Sequence, residues 1–290
     1  MNSKSRTKRA FALIAAFVLI FSAFGTAKAD DDNYGLWTTF EASKKINKKF
    51  KVGAEFEFRS NDYLKEIERF AIGVSGQYKV TDWLKANAGY IFIMGYYPGE
   101  AKDHFDDDNN EYDGFNYDRA YHTERNRFHF SFTGEYKIGR VEISLRERLQ
   151  YTRTNSAMVD EEKHRFEVMP QIDENGNIMF DEEGNALEYK EWQPVRTEPE
   201  LKEHKNNTVL RSRITAKWDI PKCKVNPFVS TELYSRVDKW RGFEKLRSRI
   251  GASYKINKDN SVEFYYLFEK AGEKGKANTH AIGLGYSIDL

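Results

Sequence analysis

The chain holds one cysteine, Cys223, so no internal disulfide framework can brace it. Its formal net charge of +1 supplies no basic field of the kind nucleic acid requires, and that class of partner drops out. Beyond Phe24 there is no apolar run long enough to cross a bilayer as a helix. Catalytic signatures are missing as well, with no His-Glu-x-x-His, no Gly-x-Ser-x-Gly and no phosphate loop. These absences leave no catalytic, cofactor or metal residues to name. They also leave two places for the chain: free outside the cytoplasm, or inserted in a membrane by strands.

Export is read from the N-terminus. Lys4, Arg6, Lys8 and Arg9 form a basic end, Ala10 to Phe24 an apolar run, and Ala27-Lys28-Ala29 a small-x-small cleavage site. The pattern predicts a secretory signal peptide over 1–29, removed from a mature chain of 30–290. A mean hydropathy of -0.75 with 31% charged residues looks soluble, but a barrel dilutes its apolar wall with a polar interior and polar loops.

The hairpin from Arg69 to Tyr97 shows the rule that the rest repeats. Phe70, Ile72, Val74, Gly76, Tyr78 and Val80 alternate with Ala71, Gly73, Ser75, Gln77 and Lys79. After Thr81-Asp82 the alternation resumes from Leu84 to Tyr96. This is strand periodicity over about a dozen residues, whereas about five or six is usual in soluble domains. Long strands apolar on one face suit a tilted crossing of a bilayer.

Similar endings recur at Lys44-Lys45-Ile46-Asn47, Tyr78-Lys79-Val80-Thr81, Tyr136-Lys137-Ile138-Gly139, Trp218-Asp219-Ile220-Pro221 and Tyr254-Lys255-Ile256-Asn257. The last, Tyr286-Ser287-Ile288-Asp289, closes the chain. Return strands begin near Phe50, Leu84, Val141, Val225 and Val262. The opposite connections are longer, at 61–68, 99–119, 155–205, 238–244 and 271–277, and the longest reads as a small surface meander. Short turns on one rim and long loops on the other is the asymmetry of outer-membrane barrels. Tyr78, Tyr136, Trp218, Tyr254 and Tyr286 fit an aromatic girdle at the short-turn rim, and Tyr96, Tyr97 and Tyr151 mark the other.

The expected fold is therefore all-β, a transmembrane antiparallel barrel of about 10–12 strands with a long surface loop at 155–205. Six strands down and five up cannot close in purely antiparallel fashion. Either 34–46 pairs in parallel with the last strand, or it lies outside a ten-stranded wall, or one more strand exists.

Function is sought on the inward face. There the alternation places Glu55, Glu57 and Arg59; Arg146 and Arg148; Arg211, Arg213 and Lys217; Glu232 and Arg236; Arg247 and Arg249; and Glu263 and Glu269. The Arg-x-Arg pairs fall at similar distances from the short turns and predict a belt of mixed charge. Such a belt either pairs across a narrow interior and fills it, or forms a constriction that attracts anions such as acidic sugars or phosphates.

Other features are weaker. His129 and Ser131 share one inward strand face without a specified acidic partner, and read as polar lining. Glu147 interrupts an outward apolar face and predicts a bulge in preference to a protein contact. The run Asp106 to Glu111 lacks the glycine and terminal acid of a calcium loop, and reads as a solvated acidic loop.

The opening Tyr34-Gly35-Leu36-Trp37-Thr38, the turn Lys44 to Phe50, and Glu55-Phe56-Glu57-Phe58-Arg59 together resemble the bacterial family catalogued as domain of unknown function 2490. The resemblance implies an outer-membrane β-barrel in a double-membraned bacterium and carries no catalytic residues. The expected function is a non-enzymatic barrel of structural or narrow-pore type that passes small anionic solutes. Its expected partners are outer-membrane lipid and the barrel assembly machinery. The alternatives are a barrel hydrolase acting on lipid or surface glycan, and a periplasmic ligand-binding β protein.

Overall fold

The computed structural model describes residues 32–61, 65–106, 110–237, 242–272 and 277–290. The leader read at 1–29 and residues 107–109 of the acidic loop lie outside them.

The recurrent strand endings are turn chemistry. Asn47 Oδ1 accepts the backbone N–H groups of Lys49 and Phe50, each at 2.8 Å. Thr81 Oγ1 accepts those of Trp83 and Leu84 at 3.3 and 3.0 Å, and Asn257 Oδ1 those of Asp259 and Asn260 at 2.9 and 2.8 Å. A side-chain oxygen that replaces a backbone partner reverses the chain in a few residues.

The strands in chain order begin with β1 (Asn33–Lys45), β2 (Phe50–Asn61), β3 (Glu66–Lys79), β4 (Leu84–Tyr97), β5 (Glu100–Phe105), β6 (Tyr112–Asp118), β7 (Tyr121–Ile138) and β8 (Val141–Thr154). They continue with β9 (Ala157–Pro170), β10 (Glu188–Trp192), β11 (Arg196–Lys202), β12 (Lys205–Trp218), β13 (Val225–Arg236), β14 (Phe243–Lys255), β15 (Asn260–Ala271) and β16 (Thr279–Asp289). A closed barrel forms in the order β1-β16-β15-β14-β13-β12-β8-β7-β4-β3-β2. Its strand number falls within the expected range, but the barrel is not purely antiparallel. β1 joins β16 in parallel from Asn33↔Thr279 to Ser43↔Asp289. An odd strand count leaves one neighbouring pair running the same way, and the seam between the chain's first and last strands is that pair. Phe40 stacks on Tyr286 across it, with ring centroids 5.6 Å apart.

Alternation sorts the two faces as the hairpin predicts. Ile72 is 60% exposed on the outer wall, whereas Ala71 beside it is 6% exposed; Phe130 is 47% exposed and Ser131 2%. The outer wall is apolar and the inner face mostly polar. Two apolar clusters nevertheless sit inside: Trp37, Phe228, Tyr265, Leu267 and Ala281 on one side, and Ala71, Ile91 and Ile93 on the other. Gly283 makes room for the first, since a Cβ there would lie 2.0 Å from the Tyr265 ring. Tyr78, Tyr136 and Tyr254 are exposed near the short turns. Tyr97 departs from the expected girdle. It shares a cavity inside the opposite rim with Arg125, whose guanidinium lies 4.6 Å from its ring centroid.

Glu147 also departs from expectation. β8 keeps unbroken register with β7 and with β12, so there is no bulge. Instead Ser212, its ladder partner on β12, donates to Glu147 Oε2 at 2.6 Å.

The two longest connections do not end as separate loops. β6 pairs with β9 from Gly114↔Arg165 to Asp118↔Glu161, and β5, β10 and β11 complete a five-stranded sheet. Beyond β9 the expected meander is present: Asp173 and Asp181 each accept backbone N–H groups two and four residues on, and Gly176 and Gly184 take φ of 84° and 89°. The sheet has unlike faces. Phe115, His164, Phe166 and Trp192 stack on one. Asp118, Glu161 and Lys202 occupy the other, given by ladder parity.

Candidate functional site

Ladder register brings the predicted basic pairs together inside the barrel. Arg211 stands opposite Arg148, and Arg213 opposite Arg146. Glu232 on β13 then lies opposite both Arg213 and Arg247. Like charges on neighbouring strands repel, and the structure offsets this with three carboxylate clamps. Glu232 accepts from Arg146 at 2.5 Å, Arg211 at 2.9 Å and the Tyr234 hydroxyl at 3.1 Å. Glu269 accepts from Arg247 at 2.8 Å and Lys245 at 2.9 Å. Glu57 accepts from Arg59 at 2.8 Å and Arg69 at 2.7 Å. Trp37 lies between the last two clamps, its ring 3.5 Å from the Arg59 guanidinium and 4.7 Å from that of Arg247.

These clamps run along the wall. Each joins residues on one strand, on adjacent strands or, for Arg146 and Glu232, across a single intervening strand. Eleven strands spaced about 4.8 Å apart and tilted about 40° enclose roughly 22 Å from backbone to backbone. Side chains held flat against such a wall leave space at the axis.

Three cavities follow one another through the interior. The one inside the long-loop rim has a volume of about 400 Å³ and takes in Arg236, Arg125, Arg127, Lys205 and Tyr234. The waist cavity, about 190 Å³, shares Trp37, Arg59, Arg69, Arg127, Arg211 and Arg247 with the first. The third, about 290 Å³, opens toward the short turns and shares Glu41, Glu55, Arg146, Arg148 and Arg213 with the waist. Glu263 lines the waist 3.9 Å from Arg249, which also donates to Ser230 at 3.2 Å. Lys217 sits at the short-turn end of β12, opposite Glu142 and outside all three.

The belt is less balanced than the sequence suggests. Among the described residues, no carboxylate oxygen lies within 4 Å of Arg125, Arg127, Arg148 or Arg213. Arg125, Arg127, Arg69, Glu41, Trp37 and Tyr234 were not among the predicted residues. Strand parity could have found Arg125, Arg127, Arg69 and Tyr234, which share an inward face with residues already recognised on their strands, whereas Glu41 and Trp37 lie on β1, where no inward face was assigned. His129 and Ser131 line the third cavity, and the histidine Nε2 meets Asn87 Oδ1 at 3.0 Å instead of an acid.

A second titratable group lies in the outer sheet. Oxygen atoms of Asp118, Glu161 and Glu200 come within 4.8 Å of one another, a spacing that admits a cation. Two ammonium groups are already present: Lys102 and Lys202 donate to Asp118 at 2.8 and 2.9 Å, and Lys202 also meets Glu200. Burial pushes the Asp118 carboxyl up, but these hydrogen bonds outweigh it and hold it below its ordinary range. Burial raises Glu161 above its ordinary range, and the adjacent Glu200 carboxylate adds to the rise.

Together these features define a single-chain closed β-barrel with an apolar outer wall and an arginine-rich interior. The chain belongs to the family described as protein of unknown function (DUF2490), which it matches over residues 34–279. Among solved structures it is similar to the translocator domain of autotransporter NalP from Neisseria meningitidis, at 13% identity and a TM-score of 0.24, over 95% of this chain and 94% of that one. No curated protein matches it.

Proposed function

We propose that the protein is an outer-membrane barrel that admits small anionic solutes through a narrow, water-filled interior. The leader read at 1–29 supports export, and the apolar outer wall suits contact with outer-membrane lipid. One observation carries the pore reading. Glu57, Glu232 and Glu269 are already clamped to other basic groups along the wall, while Arg125, Arg127, Arg148 and Arg213 border the cavities with no carboxylate within 4 Å among the described residues. Rings of arginine in a confined pathway favour anions.

Planar-bilayer conductance of the purified protein is the test. A small, anion-selective current is expected. Replacing Arg211 and Arg213 by alanine should enlarge it and weaken the anion preference, because both guanidinium groups border the waist. A large cation-selective current, or no current from either protein, would sink the proposal. The membrane assignment is tested separately: the mature protein should pellet with membranes and resist a carbonate wash.

A further inference from the structure

The waist departs from a simple anion filter. Glu41 and Glu55 are direct partners in the β1–β2 ladder, and among the described residues neither has a basic group within 4 Å. Arg148 and Arg213 lie on neighbouring strands with no carboxylate in that range. Around the wall, β12 is five strands from β1 and β8 is four from β2, so the acidic and basic pairs stand on opposite sides. At longer range Glu41 feels Glu263, Arg213, Lys51 and Arg249, and Glu55 feels Glu41, Arg148, Glu57 and Arg127. The space between them is the waist cavity and the one beneath it.

A structural interior would not leave this arrangement. Adjacent like charges repel, and the nearby clamps show that these side chains close on a carboxylate when one is within reach. Holding opposite charges apart across a narrow gap between low-dielectric walls sets up a transverse field. A lone anion in that field satisfies the arginines and leaves both glutamates unmatched. A lone cation does the reverse, whereas a solute with an acid group at one end and an ammonium at the other satisfies both walls. Ala71, Ile91 and Leu267 also line the waist and give a short aliphatic body apolar contact.

We infer that the waist is a recognition slot for a small zwitterionic solute, its acid group on Arg148 and Arg213 and its ammonium on Glu41 and Glu55. This rests on the open-interior reading above and narrows its solute class, the arginine-rich mouth attracting the acid end first.

Calorimetric titration of the full mature chain in detergent with 6-aminohexanoate, hexanoate and hexylammonium, at equal ionic strength, tests it. The zwitterion should bind at least tenfold more tightly than either singly charged probe. The double substitution Glu41→Gln and Glu55→Gln should reduce its binding to the level of hexanoate. Arg148→Gln with Arg213→Gln should reduce it to that of hexylammonium. Glu41→Asp with Glu55→Asp keeps the charges and should keep the order, which separates loss of the slot from loss of the fold. Hexanoate binding as tightly as the zwitterion, or no effect of the glutamine pair, would overturn the slot. Conductance of the same preparation distinguishes the two proposals: zwitterion binding without current upholds the slot and removes the pore, and current without zwitterion preference does the opposite.

Discussion

Asp118 and Glu161 stand opposite each other in the β6–β9 ladder, two buried carboxyl groups contributed by different long connections. Folding shifts them in opposite directions, so the outer sheet should respond to pH on both sides. Asp118 is held down by Lys102 and Lys202 against the effect of burial. Its contribution is present above its ordinary 3.8 and is lost as pH falls through the lower folded value. Glu161 is raised by burial and by Glu200, so its contribution is complete below its ordinary 4.5 and is lost as pH rises through the raised folded value. Amide protection across 157–170 should therefore lose the Asp118 contribution toward strong acid and the Glu161 contribution toward neutrality, the second read as the difference from Glu161→Gln because Glu162 and Glu198 are held down and act in the opposite sense. Glu161→Gln should abolish the loss on the alkaline side and keep the loss on the acid side. An identical pH profile for Glu161→Gln and the unmodified protein would contradict this.

Within the barrel, the parity of each strand was legible because a period of two survives in any window of a dozen residues. Turn chemistry was legible too, since Asn47, Thr81 and Asn257 act on residues two and three positions away. Pairing between distant segments was not. Nothing local in Tyr112 to Asp118 says that its partner is Glu161 to Arg165, and nothing in Asn33 to Lys45 selects β16 over solvent. The charged belt was foreseen as residues and misjudged as a network. Strand parity places Arg146 and Glu232 inside, but only register shows that pairing follows the wall and leaves Arg148 and Arg213 over. Glu147 misled for the same reason, because its partner Ser212 lies on a strand far along the chain.

Removing Glu57 should be costly. Among the described residues it is the one carboxylate on both Arg59 and Arg69, and all three side chains are less than one-fifth exposed. Glu57→Ala strands two confined guanidinium groups, for an expected loss of about 3 kcal/mol. Lys51→Ala breaks a pair with Asp289 in which the side chains are 33% and 50% exposed, and should cost less than about 1 kcal/mol. Denaturant unfolding of both variants in detergent checks the contrast; equal losses would mean the interior screens its ion pairs as well as bulk water does.

The outer wall carries its own test. Ile72 is 60% exposed, whereas Ser75 faces the cavity beside β2. If the wall meets hydrocarbon, Ile72→Arg should destabilise the folded barrel in lipid by about 2–4 kcal/mol, and Ser75→Arg by less. In a wall that meets water, arginine at position 72 would be nearly neutral, since no buried contact is lost there. Refolding into lipid vesicles along a denaturant series reads the difference directly.

The parallel seam yields the sharpest prediction about the fold, because it sets the start of β1 beside the start of β16 at the long-loop rim, whereas ten strands without β1 would leave both ends of the wall at the short-turn rim. In the observed barrel Thr38 is the register partner of Leu284, and parallel partners at the same level project to the same side of the sheet. Neighbouring strands lie about 4.8 Å apart, within the Cα separation that a disulfide tolerates. In a Cys223→Ser background, Thr38→Cys with Leu284→Cys should form an intramolecular disulfide on mild oxidation, detectable as a linked peptide pair by mass spectrometry. Thr38→Cys with Ile288→Cys, four residues out of register, should form far less. Equal cross-linking of both pairs would indicate that β1 slides or hangs free, and no cross-linking of either would place it outside the wall. Predominant linkage of position 38 to 284 places β1 in the wall beside β16, at the register by which an odd number of strands closes.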